Sequence, residues 1–169
     1  TFGFQLPTFE RGEGALLGAP QIIPGIVSTS ALRTNLILAE TTGLDGAKVK
    51  VTLSDRGGNV LGFERLDVPR YGHRQLSGVA GRLGAPGGVL DLGRIDVEIE
   101  SGAGAVSSIV TQIDNFTDDA VTWVGRSASA AASPALVQLM TPAPAGSPAR
   151  APLAADPLPV KSVIPAVVN

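Results

Sequence analysis

The feature that most constrains the fold is a series of short stretches in which apolar and polar residues alternate. Residues 47–53 alternate two lysines and a threonine with apolar side chains, and residues 94–100 alternate three acidic residues with Ile and Val. A period of two is typical of a β-strand with one buried face. No long helical period competes with this pattern, and residues 77–83 are the one short helical turn that we expect.

Turn sequences separate these stretches. Residues 55–58 read Asp-Arg-Gly-Gly, residues 101–104 read Ser-Gly-Ala-Gly, and residues 114–119 read Asp-Asn-Phe-Thr-Asp-Asp. Residues 105–113 are apolar on both faces, as expected of a central strand. Short strands with turns at about every 8–12 residues predict an all-β protein, an antiparallel immunoglobulin-like β-sandwich of about 7–9 strands.

The composition divides the chain into four parts. Residues 1–20 are a terminal strand and lead-in loop, and residues 21–126 are the sandwich. Residues 127–159 are rich in Ala, Pro and Ser with few charges, which predicts an extended linker. Residues 160–169 form a last strand. The chain starts without Met or a signal-peptide pattern, which indicates a processed chain or a section of a longer one.

One apolar run occurs twice. Residues 22–27 read Ile-Ile-Pro-Gly-Ile-Val, and residues 163–168, 141 positions later (164 minus 23), read Val-Ile-Pro-Ala-Val-Val. Proline has no N–H, so we expect the strand of Pro24 at a sheet edge or at a switch between sheets. A weaker match relates residues 4–7 to residues 121–124. The chain then runs from the end of one module, through a second, into the start of a third.

The order of these motifs resembles β-sandwich repeats of large secreted bacterial multidomain proteins. The motifs are Ile-Pro at 23–24, Leu-Arg-Thr-Asn-Leu at 32–36, Asp-Arg-Gly-Gly-Asn-Val-Leu-Gly at 55–62, Gly-Arg-Ile-Asp-Val at 93–97 and Asp-Asn-Phe-Thr-Asp at 114–118. Residues 1–7 look like the end of such a repeat. The resemblance implies an extracellular or cell-surface, bacterial, tandem and non-catalytic role. The long Ala/Pro segment departs from the usual short junction.

A sandwich that lacks an edge strand exposes unpaired backbone groups and an apolar groove, which a strand from a neighbour fills. Because head-to-tail contacts do not close, they generate fibres. We therefore expect a structural subunit of an extracellular filament or tandem surface array, a homopolymer whose partners are copies of itself, joined through strands 1–9 and 160–168. The expected assembly residues are Phe2, Phe4, Leu6, Ile22, Ile23, Pro24, Val163, Ile164, Pro165 and Val167.

The alternative is a carbohydrate- or surface-binding accessory module of a secreted protein. A polysaccharide site needs exposed aromatic side chains, and Trp123 and Tyr71 are the strong candidates. Trp123 lies in a strand, where a core position is the simpler interpretation. The acidic turn at residues 114–119 offers oxygen ligands for Ca²⁺, although Asp and Asn also cap turns through backbone hydrogen bonds.

We expect neither an enzyme nor a cofactor. His73 is the single histidine, and no Gly-x-Ser-x-Gly motif accompanies it. The net charge of −2 without a Lys/Arg cluster disfavours nucleic-acid binding. No apolar run reaches the roughly 18 residues that membrane insertion requires. Without cysteine, the chain has neither disulfides nor thiolate metal sites.

Overall fold

The computed structural model describes residues 7–127, which form two antiparallel β-sheets. The strands are β1 Gln21–Ser28, β2 Leu32–Glu40, β3 Ala47–Asp55, β4 Val60–Val68, β5 His73–Leu76, β6 Leu90–Gly102, β7 Val106–Asp114, β8 Ala120–Val124 and β9 Arg126–Ser127. The prediction of an all-β sandwich with about 7–9 strands is confirmed for this part of the chain. The predictions for residues 1–6 and for residues 128–169 concern parts of the chain outside the described residues.

The strand order is β4-β3-β6-β1-β9 in one sheet and β5-β2-β7-β8 in the other. In an immunoglobulin constant domain, the sheets are A-B-E-D and C-F-G. The two central pairings agree, since β2 lies beside β5 and β3 beside β6. The terminal strands differ, because β1 takes the place of the last strand beside β6 and β7 takes the place of the first strand beside β2. β4 differs as well, since it lies beside β3 and not beside β5, so the strand order is not that of an immunoglobulin constant domain.

The core lies between the sheets and follows the predicted alternation. Its fully buried side chains include Ile23, Ile26, Leu36, Leu38, Val49, Val51, Leu53, Ile95, Val97 and Val110. β7 is central in its sheet, as its two apolar faces predict. Between β5 and β6 the chain forms the short helix α1, Val79–Arg82, within the predicted helical turn.

A buried carboxylate organises two loops at the end of the sandwich where β2 finishes. Glu40 accepts hydrogen bonds from the backbone N–H groups of Thr42 (2.8 Å), Gly43 (2.9 Å) and Tyr71 (2.8 Å), and from the Thr42 hydroxyl. Burial alone would raise the pKa of Glu40, but these hydrogen bonds outweigh burial and hold the pKa below its ordinary value. The ionised side chain therefore joins the β2–β3 loop to the turn before β5.

Candidate assembly edge

The chain changes sheets at Gly125, between β8 and β9. Val124 still pairs with Ile109 of β7, and the Gly125 N–H donates to the carbonyl oxygen of Ser108 at 2.9 Å. One residue later, Arg126 pairs with Ile22 of β1 in the opposite sheet. A Cβ at position 125 would lie 2.3 Å from Ser108 Oγ, so the switch has room for glycine alone.

A buried polar side chain holds this switch in place. Gln21 is 2% exposed. Its Nε2 donates to the Gly125 carbonyl oxygen at 3.1 Å, and its Oε1 accepts from Ser108 N at 3.0 Å and from Ser108 Oγ at 2.6 Å. The side chain of β1 thus satisfies polar groups of β7 and of the crossing chain, as a buried amide must.

Beyond the switch, the edge of β1 is open. β9 pairs with Gln21 and Ile22, and from Ile23 to Ser28 β1 has no second neighbour among the described residues. Pro24 is exposed there. Of the two predicted positions, a sheet edge or a switch between sheets, the part of β1 that follows Ile22 has the first, although β9 lies beyond the start of the strand. Gly25 has φ +82° at a register shift, which lets Ile23 and Ile26 both face the core.

The inner face of β8 is also uncovered on this side. Trp123 lies opposite Val110 of β7, and Val121 lies opposite Gln112. Opposite residues of an antiparallel pair share a face, and Val110 is in the core. Trp123 accordingly packs against the core, but Val121 is 66% exposed because no described strand covers it.

The open edge of β1 and the end of β8 border a cleft of about 550 Å³, which we call the edge cleft. Its lining comprises Glu13, Pro24, Trp123, Val124, Gly125 and Arg126. It combines one aromatic ring with an acidic and a basic side chain, and it lies where β1 loses its second neighbour. The cleft therefore offers backbone edges, apolar surface and charge in one place.

Three of the predicted assembly residues, Ile22, Ile23 and Pro24, lie within the described part of the chain, and they differ in solvent exposure. Pro24 is exposed in the edge cleft, and Ile22 is partly exposed with its backbone paired to Arg126. Ile23 is fully buried in the core, so a partner strand would reach its backbone and not its side chain. Phe2, Phe4, Leu6, Val163, Ile164, Pro165 and Val167 lie outside the described residues. The sequence interpretation missed Gln21, Ser108 and Arg126, and only the glycine after the last strand pattern hinted at the switch.

The other candidate side chains lie apart from the edge cleft. Tyr71 is 68% exposed in the turn before β5, and His73 is exposed on β5 itself. Among residues 7–127, no three His, Asp or Glu side chains gather as metal ligands would, and no helix is long and apolar enough to cross a membrane.

The acidic turn uses its oxygens internally. Asp114 Oδ1 accepts from the backbone N–H groups of Phe116 at 2.7 Å and Thr117 at 3.1 Å. The Arg33 guanidinium donates to Asn115 Oδ1 at 2.6 Å and to Asp118 Oδ1 at 3.1 Å. These contacts support the turn-capping interpretation, since a cation here would have to compete with Arg33.

One solved structure with a similar fold is the crystal structure of Thermotoga maritima 1070. The TM-score is 0.52, with 15% sequence identity over 68% of this chain and 95% of that chain. The likeness is one of fold. The sequence matches no protein-family model and none of the curated proteins.

Proposed function

We propose that the protein is a non-enzymatic structural subunit of an extracellular filament or tandem surface array, in which a strand of a neighbouring copy adds to the open edge of β1. One observation supports this most: β1 has no described second neighbour from Ile23 to Ser28, beside an inner face of β8 on which Val121 is exposed. An added strand would gain backbone hydrogen bonds from the edge and apolar contact from β8.

The proposed donor is the strand at residues 160–168. Its apolar residues and its proline repeat the pattern of β1, which itself lies in a sheet of this fold. Six residues of strand cover about 20 Å, the length of the open edge. The 32 residues between Ser127 and the donor (159 minus 127) extend to about 100 Å. That reach is ample for a second copy.

Pro24 limits which strands can add. It offers no N–H to a partner, and the Val27 carbonyl oxygen already accepts hydrogen bonds from Thr34 Oγ1 at 2.5 Å and Gln112 Nε2 at 3.2 Å. Proline on an edge strand is a common protection against indiscriminate pairing. The side-chain contacts with Trp123 and Val121 would therefore supply much of the selectivity for the donor.

Assembly is tested by deleting residues 160–169 and, separately, by Val121→Lys. The full chain is expected to form long regular particles in negative-stain microscopy, and both variants are expected to sediment as monomers. Val89→Lys is the matched control, because Val89 is exposed before β6 and away from the edge cleft. A full chain that stays monomeric at high concentration contradicts the proposal, and assembly that survives the deletion contradicts the choice of donor.

A second candidate, polysaccharide binding, is favoured by the position of Trp123 beside Glu13 and Arg126 in the edge cleft. An aromatic face with a few convergent polar groups is typical of small-ligand sites. Trp123→Ala is expected to abolish retention on a polysaccharide column, whereas Tyr71→Ala should leave it unchanged because Tyr71 lies elsewhere. Equal retention of the parent chain and Trp123→Ala would reject this function.

A further inference from the structure

The outer faces of the two sheets differ in charge. On the five-stranded sheet, Lys50 pairs with Glu98 at 3.3 Å and Arg65 with Glu100 at 2.9 Å. Phe63 lies beside them, with the Arg65 guanidinium 4.9 Å from its ring centroid. A face that carries several charged pairs is typical of a sheet surface in contact with water.

The outer face of the four-stranded sheet is almost without charge. Ile37, Ile109 and Val124 form one row across three strands, and Thr111 and Thr122 are adjacent in the next. In the row after that, Ile113 lies between Ala120 and Arg33, and Arg33 is at a corner of the face. These side chains alternate with core residues along each strand, so they point away from the core. We call this surface the uncharged face.

Central side chains of the uncharged face are buried, as Thr52 is on the outer face of the other sheet, where it is 8% exposed and its hydroxyl also lacks a described partner. Ile109 is 9% exposed and Thr111 is 8% exposed, although neither belongs to the core between the sheets. The Thr122 hydroxyl is shielded from solvent and has no hydrogen-bond partner among the described residues. A buried hydroxyl without a partner is costly, and a covering segment with free backbone groups would satisfy it.

The lead-in loop approaches this face at its rim. The Glu13 carbonyl oxygen accepts from Ser107 Oγ at 3.0 Å and from Thr41 Oγ1 at 2.8 Å. Ser107 lies two residues before Ile109 on β7 and therefore on the same face. Before Glu13, the Gly12 N–H and Arg11 Nε donate to the carbonyl oxygens of Thr41 and Thr42, just past the end of β2. The chain before Glu10, residues 1–9, has no charged residue and alternates Phe2, Phe4 and Leu6 with smaller or polar residues.

We propose that residues 1–8 lie along the uncharged face of their own chain, with Phe2, Phe4 and Leu6 turned towards it. Eight extended residues cover about 26 Å, which is enough to span the about 20 Å from Ser107 to Ile113. An uncharged, aromatic segment tethered at the rim suits a surface of Ile, Val and Thr. This role would leave residues 160–168 as the sole donor for assembly, and it stands whether or not the chain polymerises.

The absence of cysteine allows a clean cross-linking experiment in any assembly state. Gln5→Cys is combined with Gln75→Cys, which is exposed beside Ile37 at the edge of the uncharged face. The control combines Gln5→Cys with Lys48→Cys, because Lys48 is exposed on the outer face of the five-stranded sheet. A short thiol cross-linker is expected to give several times more intrachain product with position 75 than with position 48.

Two further experiments test whether the cross-link depends on the segment and whether it forms within one chain. Adding Phe4→Ser and Leu6→Ser, which alter only the segment, should reduce the position 75 product to the level of the control. Mixing isotope-labelled and unlabelled chains separates products within one chain from products between chains. Comparable yields at both positions, a yield unchanged by the serine variant, or cross-links mainly between chains would each overturn the proposal.

Discussion

Gln21 and Ser108 face each other across the two sheets and are joined by two hydrogen bonds, of 3.0 Å to the Ser108 N–H and 2.6 Å to its hydroxyl. Gln21 is on β1 and Ser108 is on β7, so the pair fixes the separation of the sheets at the point where the chain crosses between them. A buried polar pair contributes to stability mainly because removing one member leaves the hydrogen-bonding groups of the other buried without a partner.

Gln21→Met should destabilise the fold, because it leaves the Ser108 hydroxyl and the Gly125 carbonyl oxygen buried without their partner. We expect a loss of about 2–4 kcal/mol in the free energy of unfolding, measured by urea denaturation with Trp123 fluorescence. Ser108→Ala is the companion variant, and the double variant should lose less than the sum of the two. Additive losses would show that the two side chains act independently.

Gly125→Ala should cost about 1–3 kcal/mol, the range for overpacking a tight site, because the new Cβ would lie 2.3 Å from Ser108 Oγ. It should also raise amide hydrogen exchange at Ile22 and Arg126. Gly81→Ala is the control, since a Cβ there meets only Gly88 at 3.4 Å, on the exposed side of α1. Equal losses in the two variants would contradict the tight crossing.

Stability should fall in acid partly through Glu40. Its folded pKa is lower than the unfolded value of 4.5, so its contribution is present above pH 4.5 and is lost as the pH falls through the folded pKa. Glu40→Gln should cost about 1–3 kcal/mol at pH 7 and much less at pH 3, by urea denaturation at both values.

Glu98→Gln provides the comparison for that experiment. Glu98 pairs with Lys50 on an exposed face, so its loss is expected to stay within about 1 kcal/mol. If Glu40→Gln cost the same at pH 7 and pH 3, the ionised form of Glu40 would not be the stabilising one.

Val121→Lys tests the open inner face of β8 without reference to assembly. Val121 is 66% exposed although it shares a face with fully buried Val110. The variant should therefore change the free energy of unfolding by no more than about 0.5 kcal/mol, whereas Val110→Lys should unfold the domain. A large loss for Val121→Lys would mean that this side of the sandwich is closed.

The sequence was informative where a strand has one buried face and a length of several residues. The alternation in residues 47–53 and 94–100 predicted the buried faces of β3 and β6, and the double apolar pattern predicted that β7 is central. Pro24 predicted an edge or a switch between sheets because a missing N–H is a local property of the residue.

The candidate site was harder to predict because it depends on contacts between distant residues. β9 has two residues, too few for any periodicity, and its partner lies more than a hundred positions earlier. Gln21 precedes an apolar run and reads as a polar flank, yet it accepts two hydrogen bonds from Ser108 and donates one to the Gly125 carbonyl oxygen. Glu40 likewise reads as a surface residue, and the groups that bury it belong to two separate loops.

The pairing of Gln21 with Ser127 places the entry and exit of the sandwich side by side. A tensile load applied at Gln21 and Ser127 would act across β1 and β9 and break their hydrogen bonds one after another, since the strands would peel and not slide. β9 would detach first, and the chain would lengthen at low force while the core between β3, β6, β2 and β7 stayed folded.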